Sequence, residues 1–244
     1  EEFVKAITDG GWLGIAMPEE YGGGGMGITE AAIMMQTVGQ HGGAATSSIN
    51  VNVFGLHPVV RHGTDEQKRR WLPPMIQGKD RAAFGVTEPN AGLDTSRIET
   101  RAVRDGDHYV VNGRKMFTTT AQSANKFMLI TRTTPREECE KTLEGLTLFY
   151  TDFDRSCIEA REVEKFVRHA VDINAVFIDN LKIPVEDRIG EEGRGFYYLL
   201  DGLNPERILI GAEHVEKGRV VLNKAAEYAK ERIVFDRPIG QNQA

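Results

Sequence analysis

The residues most able to do chemistry sit in Phe84-Gly85-Val86-Thr87-Glu88-Pro89-Asn90-Ala91-Gly92. An apolar run stops at a hydroxyl and a carboxylate, then breaks into Pro, Asn and Gly. One reading is a strand ending in a connecting turn. The other is a place where small residues let the backbone approach a planar or phosphorylated ligand, with Thr87 and backbone N–H groups as donors. Another carboxylate, Glu206 in Leu203-Asn204-Pro205-Glu206-Arg207, reads on its own as part of a helix start, with Asn204 as N-cap, Pro205 as first helical residue and Glu206 as an acid favoured by the dipole. Other chemistries lack their residues. The six histidines are dispersed without metal-ligand spacing, and no serine has a nucleophile-elbow context, so neither a metal site nor a hydrolase is expected. No GxGxxG or P-loop occurs.

Three regions position these residues. Residues 1–81 read as helices joined by glycine-rich loops, with Ile28, Ala31, Ala32, Met35 and Val38 at helical spacing and breaks at Gly22–Gly25 and Gly42-Gly43. Thr64 and Gln67 form a capping box for a helix carrying Trp71, Leu72 and Met75, and Pro73-Pro74 should cut or kink it. Residues 82–192 carry strand-like runs. Tyr109–Val111 and Lys115–Phe117 flank Asn112-Gly113, which predicts a hairpin, and Asp105-Gly106 marks another turn. Phe127–Thr131, Leu146–Thr151 and Val176–Ile178 are further strands, so an antiparallel barrel or sandwich is expected. Residues 193–244 read as a long helix with a seam of Ile208, Ala212, Val215, Leu222, Ala226, Ala229 and Ile233, interrupted by Arg219. Alone in water that seam is an exposed apolar patch, which predicts covering by another chain or by a segment beyond this one.

Composition narrows the class. The 244 residues carry a formal charge of −6 with 40% hydrophobic residues. That suits a globular chain with a core, and it disfavours nucleic-acid binding, which needs clustered Lys and Arg. No apolar run reaches the ~18 residues of a membrane span. Cys139 and Cys157 form neither a disulfide scaffold nor a metal motif, which points to a reducing compartment.

Five segments in order resemble the acyl-CoA dehydrogenase family. They are Gly63-Thr64-Asp65-Glu66-Gln67-Lys68 with Trp71-Leu72-Pro73, the segment Gly85–Gly92, and Asn112-Gly113-x-Lys115-Met116-Phe117-x-Thr119. Val176–Pro184 with Gly190-Glu191-Glu192-Gly193 follows, then Arg232-x-x-Phe235-x-Arg237-Pro238-Ile239-Gly240-x-x-Gln243. The resemblance covers essentially the whole chain. It implies a helical N-terminal domain, a central β-domain and the start of a C-terminal four-helix bundle. It implies FAD held by Val86, Thr87, Glu88, Gly92, Phe117, Thr118 and Thr119, with Thr119 near N5. Arg232, Phe235 and Gln243 would reach the FAD of a neighbouring subunit in a homodimer or homotetramer. Taken without the resemblance, Arg232 is a cation at a helix C-terminus and Phe235 a core residue.

The implied reaction is α,β-dehydrogenation of an acyl-CoA: a carboxylate takes the α-proton, a β-hydride passes to flavin N5, and an electron-transfer flavoprotein accepts the electrons. Glu206 matches the base of the isovaleryl- and long-chain-type members; in other members the base lies later in the bundle, beyond residue 244. Asn204 and Arg207 match acyl-CoA contacts. Three residues depart from the common pattern: Leu93 where many members have Ser, Asp236 where many have Gly, and Phe117 for a frequent Trp. A flavin oxidase or monooxygenase, and a non-catalytic flavin-binding relative, are the alternatives. The family's setting is the bacterial cytoplasm, or the mitochondrial matrix in a eukaryote.

Overall fold

A computed structural model describes residues 2–41, 46, 48–167 and 169–242. Five helices come first: α1 (Glu2–Asp9), α2 (Ile28–Gln40), α3 (Asn50–Phe54), α4 (His57–His62) and α5 (Asp65–Ile76). In α2 the expected spacing buries Ala31 and Met35. The Gly42-Gly43 break lies outside the described residues. At α5 the capping box forms as read: Gln67 N–H donates to Thr64 Oγ1 at 3.2 Å, and Thr64 N–H donates to Gln67 Oε1 at 2.9 Å. Pro73-Pro74 does not cut this helix, which runs on to Ile76. The two prolines occupy its last turn, where their carbonyls accept from Gln77, Lys79 and Asp80. A missing N–H costs least near the end of a helix, where the next carbonyls cap the chain.

The strands are β1 (Ala82–Gly85), β2 (Arg101–Asp105), β3 (His108–Thr119), β4 (Lys126–Arg132), β5 (Leu146–Asp152), β6 (Ile158–Glu162) and β7 (Ile173–Pro184). They form one sheet in the order β1-β4-β2-β3-β7-β6, with β5 also paired to β4. Most pairs are antiparallel; β1 runs parallel to β4. The Asn112-Gly113 expectation fails, because both residues lie inside β3. Asn112 Oδ1 instead accepts from Asn180 N–H of β7 at 2.8 Å, across a register shift between Val111 and Gly113. Gly113 is needed for close approach, since a Cβ there would stand 2.7 Å from Thr100 Cα. The hairpin turn falls at Asp105-Gly106, where Asp105 pairs with His108 and Gly106 takes φ 62°.

Strands β4 and β5 join the two cores. Met128, Ile130, Leu148 and Tyr150 pack with Leu13, Trp71 and Leu72 of the helical region. Phe127, Leu129 and Phe149 point the other way, onto Tyr109, Val111 and Val176. Alternation along a strand buried on both faces produces this division. Trp71 meets Tyr150 edge-on at 5.1 Å between centroids. At about 25 cal/mol per Å² of buried apolar surface, burial on both faces is the main force holding helices to sheet.

Helix α6 (Gly195–Glu231) starts earlier than its apolar spacing suggested. It buries Leu199, Leu209, Glu213 and Glu216, the last accepting from Gln36 Nε2 of α2 at 2.8 Å. The Ile208–Val215–Leu222 seam faces solvent in this chain, with Leu222 68% exposed. Arg219, the polar interruption, pairs with Glu216 at 2.5 Å. Beyond α6, β8 (Ile233–Val234) and β9 (Arg237–Pro238) form a small hairpin. No helix among the described residues is long and apolar enough to cross a membrane.

Candidate active site

The segment after β1 is held from below. Met116 N–H donates to Thr87 O at 2.8 Å, and Glu88 and Ala91 exchange backbone bonds of 3.1 Å, which puts Pro89-Asn90 at the tip of a tight turn. The Glu88 carboxylate turns inward. It accepts from Glu99 N–H at 2.7 Å, Thr100 N–H at 3.0 Å and Lys115 Nζ at 2.8 Å. Lys115 is fully buried and also donates to Val86 O at 3.1 Å. Burial pulls Lys115 down to about 8 against the attraction of Glu88. Burial pushes Glu88 up, but Lys115 and the bonds from residues 99–100 overcome it and leave the carboxyl below its usual range. The side chain of Glu88 therefore fastens the turn and does not line the cleft.

Strand β3 delivers the second wall. A register shift between Lys115 and Thr118 leaves Phe117 at φ 59°, in the left-handed region, and its ring is 61% exposed. A bulky residue there is strained by about 1–2 kcal/mol. The same shift turns Thr118 inward, where it is buried, and Thr119 outward. Helix α6 is the third wall: Phe196, Leu200, Leu203 and Glu206 recur at intervals of four, three and three on one face. Val51 and Phe54 of α3 close the end, with Phe84 edge-on to Phe54 at 5.9 Å.

A cleft of about 450 Å³ results, and it brings together Val86, Thr87, Gly92, Phe117, Thr119, Glu206 and Arg207. Thr118 is not on its surface. Asn204 is exposed and accepts from Arg207 Nη1 at 2.8 Å. Because α6 begins at Gly195, Asn204 is not an N-cap and Glu206 is not a first-turn acid. Its half-buried carboxyl is instead raised by burial, which outweighs the pull of Arg207. Sequence reading missed Phe196, Leu200, Leu203, Val51 and Phe54, although the 196/200/203 spacing was an available signal.

Pro205 sits inside α6 and has no N–H for the Asp201 carbonyl. Just there, the Asp201 carboxylate accepts from Arg61 Nη1 at 2.8 Å and pairs with His62 Nε2 at 2.6 Å. The helix is thus anchored to α4 one turn before Glu206.

Arg232 and Phe235 are far from this cleft. At 1.5 Å per residue, the 26 residues from Glu206 to Arg232 span about 39 Å. Phe235 and Asp236 form the two-residue turn between β8 and β9, at φ 55° and 59°. Asp236 thus keeps the tight turn without glycine, and Phe235 is 86% exposed at its tip, not in a core. Gln243 lies outside the described residues. Among the described residues, no three His, Cys, Asp or Glu side chains group to hold a metal.

The match to known families decides the lineage. Residues 1–79, 83–181 and 193–244 match the models for the acyl-CoA dehydrogenase N-terminal, middle and C-terminal domains. The chain belongs to the acyl-CoA dehydrogenase family. It is 34% identical over 233 residues to acyl-CoA dehydrogenase fadE12 of Mycobacterium bovis, covering 96% of this chain and 59% of that one. It is 33% identical to a 3-(aryl)acrylate reductase of Clostridium sporogenes, covering 100% of this chain and 64% of that one. Among solved structures, a glutaryl-coenzyme A dehydrogenase in complex with glutaryl-CoA is 30% identical, with a TM-score of 0.91 over 100% of this chain and 62% of that one. The chain thus spans about three fifths of the length of these relatives.

The residues fit the family's flavin. An added Cβ at Gly92 meets nothing within 4 Å, so the wall there borders free space. Phe117, an exposed aromatic residue, lines the same cleft, together with the hydroxyl-bearing residues Thr87 and Thr119.

Proposed function

We propose that this chain supplies most of the active site of an FAD-dependent acyl-CoA dehydrogenase that converts an acyl-CoA thioester to the trans-2-enoyl-CoA. The single observation that carries the reading is the position of Glu206. This carboxylate, raised by burial, faces the same cleft as Thr87, Phe117, Thr119 and Gly92. Bound FAD would supply a two-electron acceptor for the substrate's β-hydride.

This chain's own residues do the rest. Val86, Thr87, Gly92, Phe117 and Thr119 hold the planar ring, with Thr118 and Glu88 fixing those strands from beneath. Glu206 takes the α-proton. Its raised pKa brings it nearer working pH, where a base is most effective. Phe196, Leu200 and Leu203 exclude water along the acyl chain, and a drier site strengthens every charge interaction within it. Asn204 and Arg207 meet the thioester's CoA side. Arg232, Phe235 and Gln243 serve the flavin site of a second subunit, a reading supported by the helical span of about 39 Å between Glu206 and Arg232. The protein is then a homodimer or homotetramer. Its acceptor is an electron-transfer flavoprotein, and its setting the bacterial cytoplasm or the mitochondrial matrix. The three domains run 1–81, 82–192 and 193–244.

The test is Glu206→Gln in the FAD-loaded protein. Retained yellow colour with loss of acyl-CoA-driven flavin reduction supports the base. Near-normal reduction transfers that role to a later residue.

A further inference from the structure

Pro205 weakens α6 at one point, because it withholds the N–H that would bind the Asp201 carbonyl. The helix is fixed on both sides of that point. Beyond it, Leu209 and Glu213 are buried, and a Cβ on Gly39 of α2 would stand 2.7 Å from Glu213 O, so the two helices pack closely. Before it, a Cβ on Gly202 would meet Pro58 Cδ of α4 at 3.4 Å. Glu206 is the residue after this joint, so its direction depends on how the two parts of the helix meet.

His62 of α4 fixes the near part. It is gripped by Tyr198 and Asp201, which stand three residues apart on one face of α6. Asp201 Oδ2 lies 2.6 Å from His62 Nε2, and since a carboxylate only accepts, Nε2 carries the proton. Desolvation pushes the Asp201 carboxyl up, but His62 and Arg61 overcome it and leave the group below its usual range, so the acceptor stays charged. Tyr198 stacks on the imidazole at 4.3 Å between centroids, tilted by 33°. Tyr198 is itself seated: its hydroxyl accepts from Glu191 N–H at 3.3 Å, and Gly190 leaves room for its ring, where a Cβ would run into it. Arg61 also reaches Asp201, but its side chain is 65% exposed, and an ion pair in water holds position weakly.

We infer that His62 is a positioning residue: by clamping Asp201 and Tyr198 to α4, it sets the direction in which Glu206 enters the cleft. The catalytic meaning rests on Glu206 as the base; the clamp does not. His62 borders a separate cleft beside Thr64 and Gln67 and not the acyl cleft, so it acts through α6 and not on the substrate. A base misplaced by about 1 Å loses up to about 10²-fold in rate, so a clamp one turn away is within reach of the chemistry.

The test uses the FAD-loaded protein with His62→Phe, which keeps a ring on Tyr198 and removes the donor, and His62→Gln, whose amide restores a donor near Nε2. Two quantities are read: acyl-CoA-driven flavin reduction, and titration of the Glu206 carboxyl by carbon NMR, assigned by its loss in Glu206→Gln. The second needs no substrate. His62→Phe should slow flavin reduction about tenfold with KM little changed. It should also move the Glu206 midpoint down toward that of an ordinary glutamate as water reaches the carboxyl. His62→Gln should stay near wild type in both. Asp201→Ala, which breaks the clamp from α6, should reproduce the losses, and combining it with His62→Phe should be no worse than either alone. The inference is overturned if His62→Phe leaves the Glu206 midpoint where wild type has it, if His62→Gln is as impaired as His62→Phe, or if the two losses add. If wild type reduces no flavin under any acyl-CoA, yet His62→Phe shifts Glu206 and His62→Gln restores it, the positioning stands and the dehydrogenase reading falls.

Discussion

Lys115 Nζ lies 2.8 Å from Glu88 Oε1, with both side chains out of water beneath the cleft. The pair ties β3 to the turn that carries Gly92, so cleft geometry and local stability depend on one contact. Lys115→Met would strand the Glu88 charge and should destabilise by about 3–5 kcal/mol, whereas replacing both partners by apolar residues of like volume should recover much of the loss. Denaturant titration of the three proteins measures this. Equal stability of wild type and Lys115→Met would remove the pair from any structural role.

The sign of the Glu88 shift sets an acid dependence. Its folded carboxyl lies below the unfolded value, so the unfolded chain binds the extra proton first as pH falls. The stability that this group contributes is complete above the ordinary carboxylate range and is lost as pH drops through the folded value. Unfolding free energy measured against pH should therefore fall on the acid side less steeply in Glu88→Gln than in wild type.

Glu206 predicts the opposite displacement in catalysis. Burial raises its carboxyl, so kcat should decline on the acid side with a midpoint above that of an ordinary glutamate. Glu206→Gln should lower the flavin-reduction rate by about 10²–10⁴ and abolish that limb. A pH–rate profile unchanged by the substitution would exclude Glu206 as the base.

Gly92 separates cofactor fit from folding. Since an added Cβ there meets nothing, Gly92→Leu should leave the apoprotein's melting temperature unchanged. It should weaken FAD by about 1–3 kcal/mol through overpacking, or roughly 5- to 150-fold in Kd. Flavin fluorescence titration reads the second number and thermal melting the first.

The turn at Phe235 and Asp236 holds two non-glycine residues at positive φ. Asp236→Gly should relieve about 0.5–1 kcal/mol of backbone cost at that hairpin. Phe235→Ala should leave the isolated subunit's stability alone and reduce both assembly and flavin retention, measured by sedimentation and by the flavin-to-protein ratio.

Much of this was legible in the chain. The α2 spacing of Ala31 and Met35 and the Thr64–Gln67 box are local signals with local outcomes, and so are the β4 and β5 runs. The Asn112-Gly113 turn was misread because its meaning depends on Asn180, 68 residues away, which accepts and donates across the bulge. Strands β2 and β6 went unseen because they are mostly exposed and charged, as in Arg101-Ala102-Val103-Arg104-Asp105. Glu206 was recognised but placed at a helix start, since Asn204-Pro205 has that signature; α6 in fact began nine residues before Asn204, held by Asp201 against α4. The Phe117 conformation follows from a register shift that no propensity encodes.

The central claim is that one cleft holds a flavin ring on the Thr87–Phe117–Thr119 surface and an acyl thioester under Glu206. Anaerobic titration of the full-length, FAD-reconstituted protein with acyl-CoA thioesters of varied chain length tests it most directly, read as the visible flavin absorption. The account predicts that at least one thioester bleaches the band in stoichiometric proportion. A protein that takes up no FAD, or a flavin band that persists under every thioester, contradicts it.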